Sequence, residues 1–190
     1  MKIVFLVISM VMFALTGNIQ SQSIYKLDQN HTKVGFSITH FGISHVEGRF
    51  KNFAITLVSK KEDFTDAVIE MKAEVKSINT DIDMRDEDLK SEKWFDSEKY
   101  PTLSFKSTSF KKLSGNKYKL DGNITIHGIT KPISLDVIYN GKAPNPMTSK
   151  SSVGFTIIGK LNRNDFSVGQ AGGVVGDEVE LVSNVEFIIN

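Results

Sequence analysis

Residues 67–78 read AVIEMKAEVKSI, and that alternation favours one backbone. Ala67, Ile69, Met71, Ala73 and Val75 fall on one side, while Glu70, Lys72, Glu74 and Lys76 fall on the other. A period of two is that of a β-strand, whose successive side chains point to opposite faces. The rhythm recurs along most of the chain. Val34, Phe36 and Ile38 form one such row. Val46, Gly48 and Phe50 form another, which slips phase and continues through Phe53, Ile55 and Leu57, as at a bulge. Leu103 and Phe105 follow, then Tyr118, Leu120, Gly122, Ile124 and Ile126, then Ile133, Leu135, Val137 and Tyr139. Val153, Phe155, Ile157 and Leu161 give the seventh row, after a proline-bearing loop KAPNPMTSK. Val179, Leu181, Val185, Phe187 and Ile189 give the eighth, after the glycine-rich NRNDFSVGQAGGVVGD. One apolar and one wet face per strand argue for antiparallel pairing. Eight long strands in one all-β domain close into a barrel or stack as a sandwich, and closure removes the exposed edges.

Whether such a barrel is full or hollow stays open at this point. Eight strands enclose a space just wide enough for side chains alone or for one slim guest. The inward rows mix bulky residues with Gly48, Ala67, Ala73, Ser107, Gly122, Gly159 and Ser183. Small residues either fit the taper of a packed core or leave volume for a ligand.

Residues 78–105, INTDIDMRDEDLKSEKWFDSEKYPTLSF, break the rhythm and hold the one tryptophan, Trp94. Thr80, Asp81 and Asp83 are candidate N-caps, and acids crowd a first helical turn as the helix dipole favours. Ser91 could cap a second short turn, and Tyr100-Pro101 forces extended chain. The expectation is a short helical insert over about 81–96. Its stripe of Leu89, Trp94 and Phe95 is too thin to stand alone, so it must pack on the barrel, with Trp94 and Phe95 as plugs at a rim. Asp81, Asp83 and Glu92 fall at calcium-loop positions, but Arg85 and Asp86 stand where a ligand and a glycine are needed.

Composition narrows the chemistry. Residues 1–23 have the layout of a cleaved secretory signal: Lys2, an apolar run from Ile3 to Leu15, then small Ser21 and Ser23. Residues 24–190 then form a single domain, periplasmic or secreted. The whole sequence has 23 basic and 22 acidic residues, so losing Lys2 leaves 22 of each. Such a balance gives no reason to expect nucleic acid. No cysteine is present, so disulfides and thiol catalysis are excluded. His40 and His45 flank the turn FGIS at no common zinc spacing, and no serine stands in a nucleophile motif. The expectation is a protein that is not an enzyme, with no cofactor and no metal.

Four segments, in order, resemble the YceI family of exported, lipocalin-like barrels: LDQNHTKVGFSITHFGISHVEGRFKNF, RDEDLKSEKWFDSEKYPTLSFKS, DGNITIHGITKPISLDV and LNRNDFSVG. The resemblance implies an elongated eight-stranded antiparallel barrel whose lumen binds, sequesters or transports a long-chain amphiphile, such as a polyisoprenoid, a quinone-like lipid or a fatty-acyl chain. The helical insert becomes the barrel's cover. Asp88, Trp94 and Asn123 depart from the family pattern, which bears on the polarity of the mouth. Expected ligand contacts are Phe36, Ile38, Met71, Leu103, Phe105, Ile124, Ile126, Leu135, Val137, Phe155 and Ile157. Trp94 and Phe95 sit by the opening, with His40, His45 or Arg163 at the polar head. Expected partners are this hydrophobic small molecule and, transiently, a membrane; a homodimer is compatible with the sequence. The rival expectation is a stress-related structural or interaction module with a packed lumen and no lipid.

Overall fold

The structure, a computed structural model, describes residues 23–147 and 149–189. The expected signal segment therefore lies outside the described residues up to residue 22. Eleven strands follow in chain order: β1 (Ser23–Leu27), β2 (Lys33–His40), β3 (Ser44–Phe50), β4 (Phe53–Ser59), β5 (Val68–Glu74), a two-residue β6 (Ile78–Asn79), β7 (Thr102–Ser114), β8 (Lys117–Ile126), β9 (Ile129–Asn145), β10 (Lys150–Asn162) and β11 (Val175–Ile189). One helix, α1 (Asp83–Lys90), stands between β6 and β7.

These strands make eight staves. β1 and β2 are one stave broken by a 3₁₀ turn, Gln29–His31, and β3 and β4 are one stave bent at Lys51 and Asn52. Neighbours pair antiparallel throughout, and β1 pairs with both β4 and β11, so the sheet closes on itself. The break is chemically specified. The Asp28 carboxylate accepts from the amides of Asn30 (3.1 Å) and His31 (3.3 Å), capping the turn where the chain leaves β1 for β2. The bend is the anticipated phase slip: Lys51 N donates to Ser77 O and Asn52 N to Ser77 Oγ, both at 3.0 Å.

Two expectations need correction. β1 is a ninth segment that the alternation did not mark, because SIYKL is too short to show a period. The proline-bearing loop is also shorter than expected, since β9 runs on to Asn145 and pairs Pro144 with Ser151. Beyond Ile138, β9 pairs with β10 alone, so Pro144 occupies an edge, where a missing N–H costs little.

Inward parity holds along the staves except at the β3–β4 bend and at a bulge in β7, after which Phe110 takes the inward place, and the buried core runs from Phe50 through Leu103, Phe105, Leu120, Ile124 and Val137 to Phe187. Several small inward residues fit neighbouring bulk. A Cβ on Gly48 would lie 2.2 Å from the Phe36 ring, and one on Gly122 would lie 2.4 Å from the Phe105 ring. Taper-fitting is thus correct at those positions, yet the interior is not full.

The two ends differ. At the end bearing the β4–β5 loop, Phe64 is buried, with rings of Tyr25, Tyr139 and Phe155 at 5.2–5.6 Å. Offset and edge-on aromatic packing of this kind adds to simple burial. Phe64 holds φ +59, and the loop that presents it is pinned by Asp66, which accepts from Ser59 Oγ (2.6 Å), Lys60 N (3.0 Å) and Lys61 N (3.2 Å). The opposite end gathers the β2–β3 hairpin, the insert with α1, the β8–β9 turn and the glycine-rich loop.

Candidate functional site: an apolar lumen with one mouth

Between these ends lies a cavity of about 470 Å³, within the ~300–1,000 Å³ of typical small-molecule pockets. Phe36 and Ile38 enter it from β2, Met71 from β5, and Leu103 and Phe105 from β7. Ile124 and Ile126 enter from β8, Leu135 and Val137 from β9, and Phe155 and Ile157 from β10. Every apolar residue expected to contact a ligand therefore faces the cavity. Toward the Phe64 end its wall is buried, as at Phe110, Leu120 and Phe187. Toward the other end its wall includes exposed groups, Asp88, Lys93 and Val174, so it reaches solvent there. Met71, Ile157 and Leu181 point inward yet stay only half-buried, as inward side chains must when the space they face is hollow.

The insert builds the mouth. The N-cap position of α1 is Ile82, which offers no side-chain cap, so the expected caps Thr80, Asp81 and Asp83 do not act as such. Thr80 instead bonds back to the helix: the buried Asp86 Oδ1 accepts from Thr80 N (2.7 Å) and Thr80 Oγ1 (2.6 Å), while Oδ2 accepts from Asn79 Nδ2 (3.2 Å). Arg85 then donates from Nε to Thr80 Oγ1 and from Nη2 to Thr80 O, both at 2.7 Å. A helix too polar to stand alone is thus stitched to β6, which pairs with β3. Ser91 ends α1 instead of opening a second helix, and its Oγ donates to Asp88 O at 2.6 Å.

Trp94 and Phe95 hang from the turns after α1 and both line the lumen. Phe95 packs edge-on against Phe50 at 6.2 Å. Trp94 Nε1 donates to Asp88 Oδ2 at 2.9 Å, so two residues that depart from the family pattern are bonded to each other. The indole also covers Gly169, whose φ of +69 suits glycine and where a Cβ would lie 2.4 Å from the ring. Asn123, the third departure, is exposed on β8's outer face and does not shape the mouth.

Arg163 corrects an expectation. It lines the cavity, but it is 4% exposed and its donors are committed. Nε donates to Gly176 O (2.8 Å), Nη1 to Val168 O (2.9 Å), and Nη2 to Val175 O (3.2 Å) and Asp177 Oδ1 (2.9 Å). It clamps the glycine-rich loop and stacks under Trp94 at 5.6 Å, so it has little left for a head group. The Asp177 carboxyl is held below the usual range, chiefly by the Gly172 amide, then by Asn164, with the Arg163 charge adding less. His45 is a second correction. On β3 Val46 takes the inward position, so His45 is exposed and off the lumen, with Nδ1 3.4 Å from Ser37 Oγ. His40 lines the mouth, edge-on to Phe41 at 4.3 Å.

Sequence reasoning missed parts of the wall that lack a period: Thr80 and Arg85 from the insert, and Phe166, Val168 and Val174 from the loop. Among the described residues, Asp28, His31 and Glu186 could gather around a cation, their ligand atoms lying within 4.8 Å of one another, but none lines the lumen.

The YceI-like domain family matches residues 25–187. The chain belongs to the YceI-like family. Its relatives include protein YceI of Salmonella arizonae, 32% identical over 166 residues, 86% of either chain. The YceI protein of Campylobacter jejuni superposes with a TM-score of 0.70 at 31% identity, covering 86% of this chain and 96% of that one. Two more distant structures share the fold: Burkholderia cenocepacia BcnA (TM-score 0.76, 22% identity, 85% and 99% covered) and a polyisoprenoid binding domain from Saccharophagus degradans (0.64, 13%, 88% and 99%).

Proposed function

We propose that this YceI-like barrel carries one long-chain amphiphile, a polyisoprenoid or a quinone-like or fatty-acyl lipid, with its tail in the lumen and its polar end at the mouth. The observation that carries the reading is an apolar cavity with one solvent-facing end: Phe155 and Phe187 wall its deep end, and the exposed Asp88, Lys93 and Val174 border it at the other. A fold shared with the Saccharophagus degradans polyisoprenoid binding domain supports the isoprenoid choice. A module with a packed interior is disfavoured by the cavity itself.

The energetics describe a carrier. Each methylene moved from water into the lumen gains about 0.8 kcal/mol. A bilayer offers the same gain, so transfer between the two is nearly balanced and reversible. Selectivity then rests on lumen shape and on polar contacts at the mouth, where His40, Asp88 and the indole N–H stand. The reading includes export, with residues 1–23 removed in a periplasmic or secreted protein. It is a reading of binding and not of catalysis.

Mass spectrometry of an organic extract from natively purified protein tests it. About one amphiphile per chain is expected, and Phe105→Asp should lose it while retaining the sheet signature in circular dichroism. A folded Phe105→Asp with unchanged loading would refute the lumen assignment, and a mature mass that includes residues 1–23 would refute export.

A further inference from the structure

We infer that the mouth end docks on an electrically neutral lipid bilayer, through the tip of the β2–β3 hairpin and the glycine-rich loop beside it. The inference rests on the lipid-carrier reading and adds where and how the lumen is loaded.

The first observation is an uncharged apolar patch within the mouth end. Charged residues make up 24% of the chain, yet residues 39–46 (THFGISHV) and 167–176 (SVGQAGGVVG) contain no Asp, Glu, Lys or Arg. These two stretches adjoin: Phe41 N donates to Val174 O at 2.7 Å. Together they expose Ile43 (88%), Phe41 (61%) and Val174 (50%). The loops at the sealed end are the reverse. Lys60, Lys61, Glu62, Asp63 and Asp66 fill the β4–β5 loop, and its exposed apolar neighbours Leu113 and Met147 sit among lysines 111, 112, 117, 142 and 150. An uncharged apolar tip can enter the headgroup boundary of a neutral bilayer without desolvating a charge, whereas the lysine-rich end has charges to desolvate and gains no attraction from neutral lipid.

The second observation is strain. Phe41 adopts φ +53 in the hairpin turn, ahead of Gly42 at +70. A bulky side chain in the left-handed region is an outlier where Asn or Asp would be easier and better solvated. Here the position holds an exposed aromatic ring instead. Strain kept at a solvent-facing aromatic fits a surface that is buried in another state. The third observation is place. His40, next to the tip, and Val174 both line the lumen, so a bilayer touching Phe41 and Val174 would also touch the mouth. Over residues 81–96 the cover carries Asp81, Asp83, Asp86, Glu87, Asp88, Glu92 and Asp96 against Arg85, Lys90 and Lys93, so anionic lipid is not the favoured surface.

The test measures extraction of a long-chain prenol from zwitterionic phosphatidylcholine vesicles, alongside uptake of a dissolved short-chain prenol read by the single tryptophan, Trp94. Ile43→Ser and Phe41→Ser should slow extraction by about tenfold each and leave dissolved-prenol affinity within about twofold. Leu113→Ser and Met147→Ser should change nothing. Adding anionic lipid should not speed transfer. Unchanged extraction in folded tip variants overturns the inference. So does an equal loss in the Leu113 and Met147 variants, or a dimer in solution that the tip variants dissociate, which would make the tip a contact between two copies. Failure of the wild type to bind the dissolved prenol would instead sink the carrier reading itself.

Discussion

The two ends of this barrel are made from the same staves and behave as opposites. At the sealed end, Phe64 is driven into a ring of Tyr25, Tyr139 and Phe155, and the loop presenting it is locked by three hydrogen bonds to Asp66. At the mouth, a polar helix stitched through Thr80 and Asp86 holds Trp94 against Gly169 and Arg163, while the cavity behind stays hollow. One end uses aromatic packing to close space. The other uses hydrogen bonds to hold a cover over space left open. The difference shows how an eight-stranded barrel can be stable and hollow together: apolar packing is concentrated where nothing enters, and directional polar contacts are placed where something must.

The comparison can be broken most severely at the plug. Phe64→Ala should cost about 3–5 kcal/mol in urea unfolding, because a large buried ring leaves a cavity among neighbours that cannot collapse. A cost below about 1 kcal/mol would mean that the sealed end is not sealed by packing. At the mouth, Gly169→Ala should cost about 1–3 kcal/mol, through positive φ and contact with the indole, and should shift Trp94 fluorescence before unfolding. Trp94→Phe, which deletes the indole N–H bonded to Asp88, should cost about 1 kcal/mol or less and speed ligand exchange in stopped-flow. Equal exchange rates would show that the cover does not control entry.

The smallest effect probes the sealed end from both sides of neutral pH. Burial raises the Tyr139 hydroxyl above its usual pKa, with the nearby phenols of Tyr118 and Tyr25 adding to it. The folded state therefore keeps that proton longer than the unfolded chain does. The stability gained is full below pH about 10 and is lost as pH rises through the higher folded value. Tyr139→Phe should match wild type near neutrality and soften the alkaline loss seen by circular dichroism. On the acid side, Asp66 works the other way. Its carboxyl is lowered first by the Ser59 hydroxyl, so the support it gives the Phe64 loop is present above about pH 4 and fades as pH falls through the folded value.

The staves were legible because a half-buried strand writes its two faces into every second residue, and the parity that placed Met71, Phe105 and Ile157 inward is the parity the sheet keeps. The bend at Lys51 was legible for the same reason, as a slip in that count. β1 was not, since five residues do not establish a period. The hollow was not legible either. Gly48 and Gly122 invite the thought of free volume, yet each makes room for a ring, and the cavity depends on how far all the inward side chains reach. The polar residues were the least readable. Arg163 looked like a head-group partner and is consumed by four contacts, three of them backbone carbonyls, which no spacing foretells. His45 lost its place to parity alone.

Crystals of the purified protein soaked with a long-chain prenol test the hollow barrel most directly. The expected result is one continuous tube of electron density running from beside Trp94 and His40 down to Phe155 and Phe187, ending against the Phe64 plug. A lumen filled by repacked side chains, or density confined to the outer surface, would contradict the account.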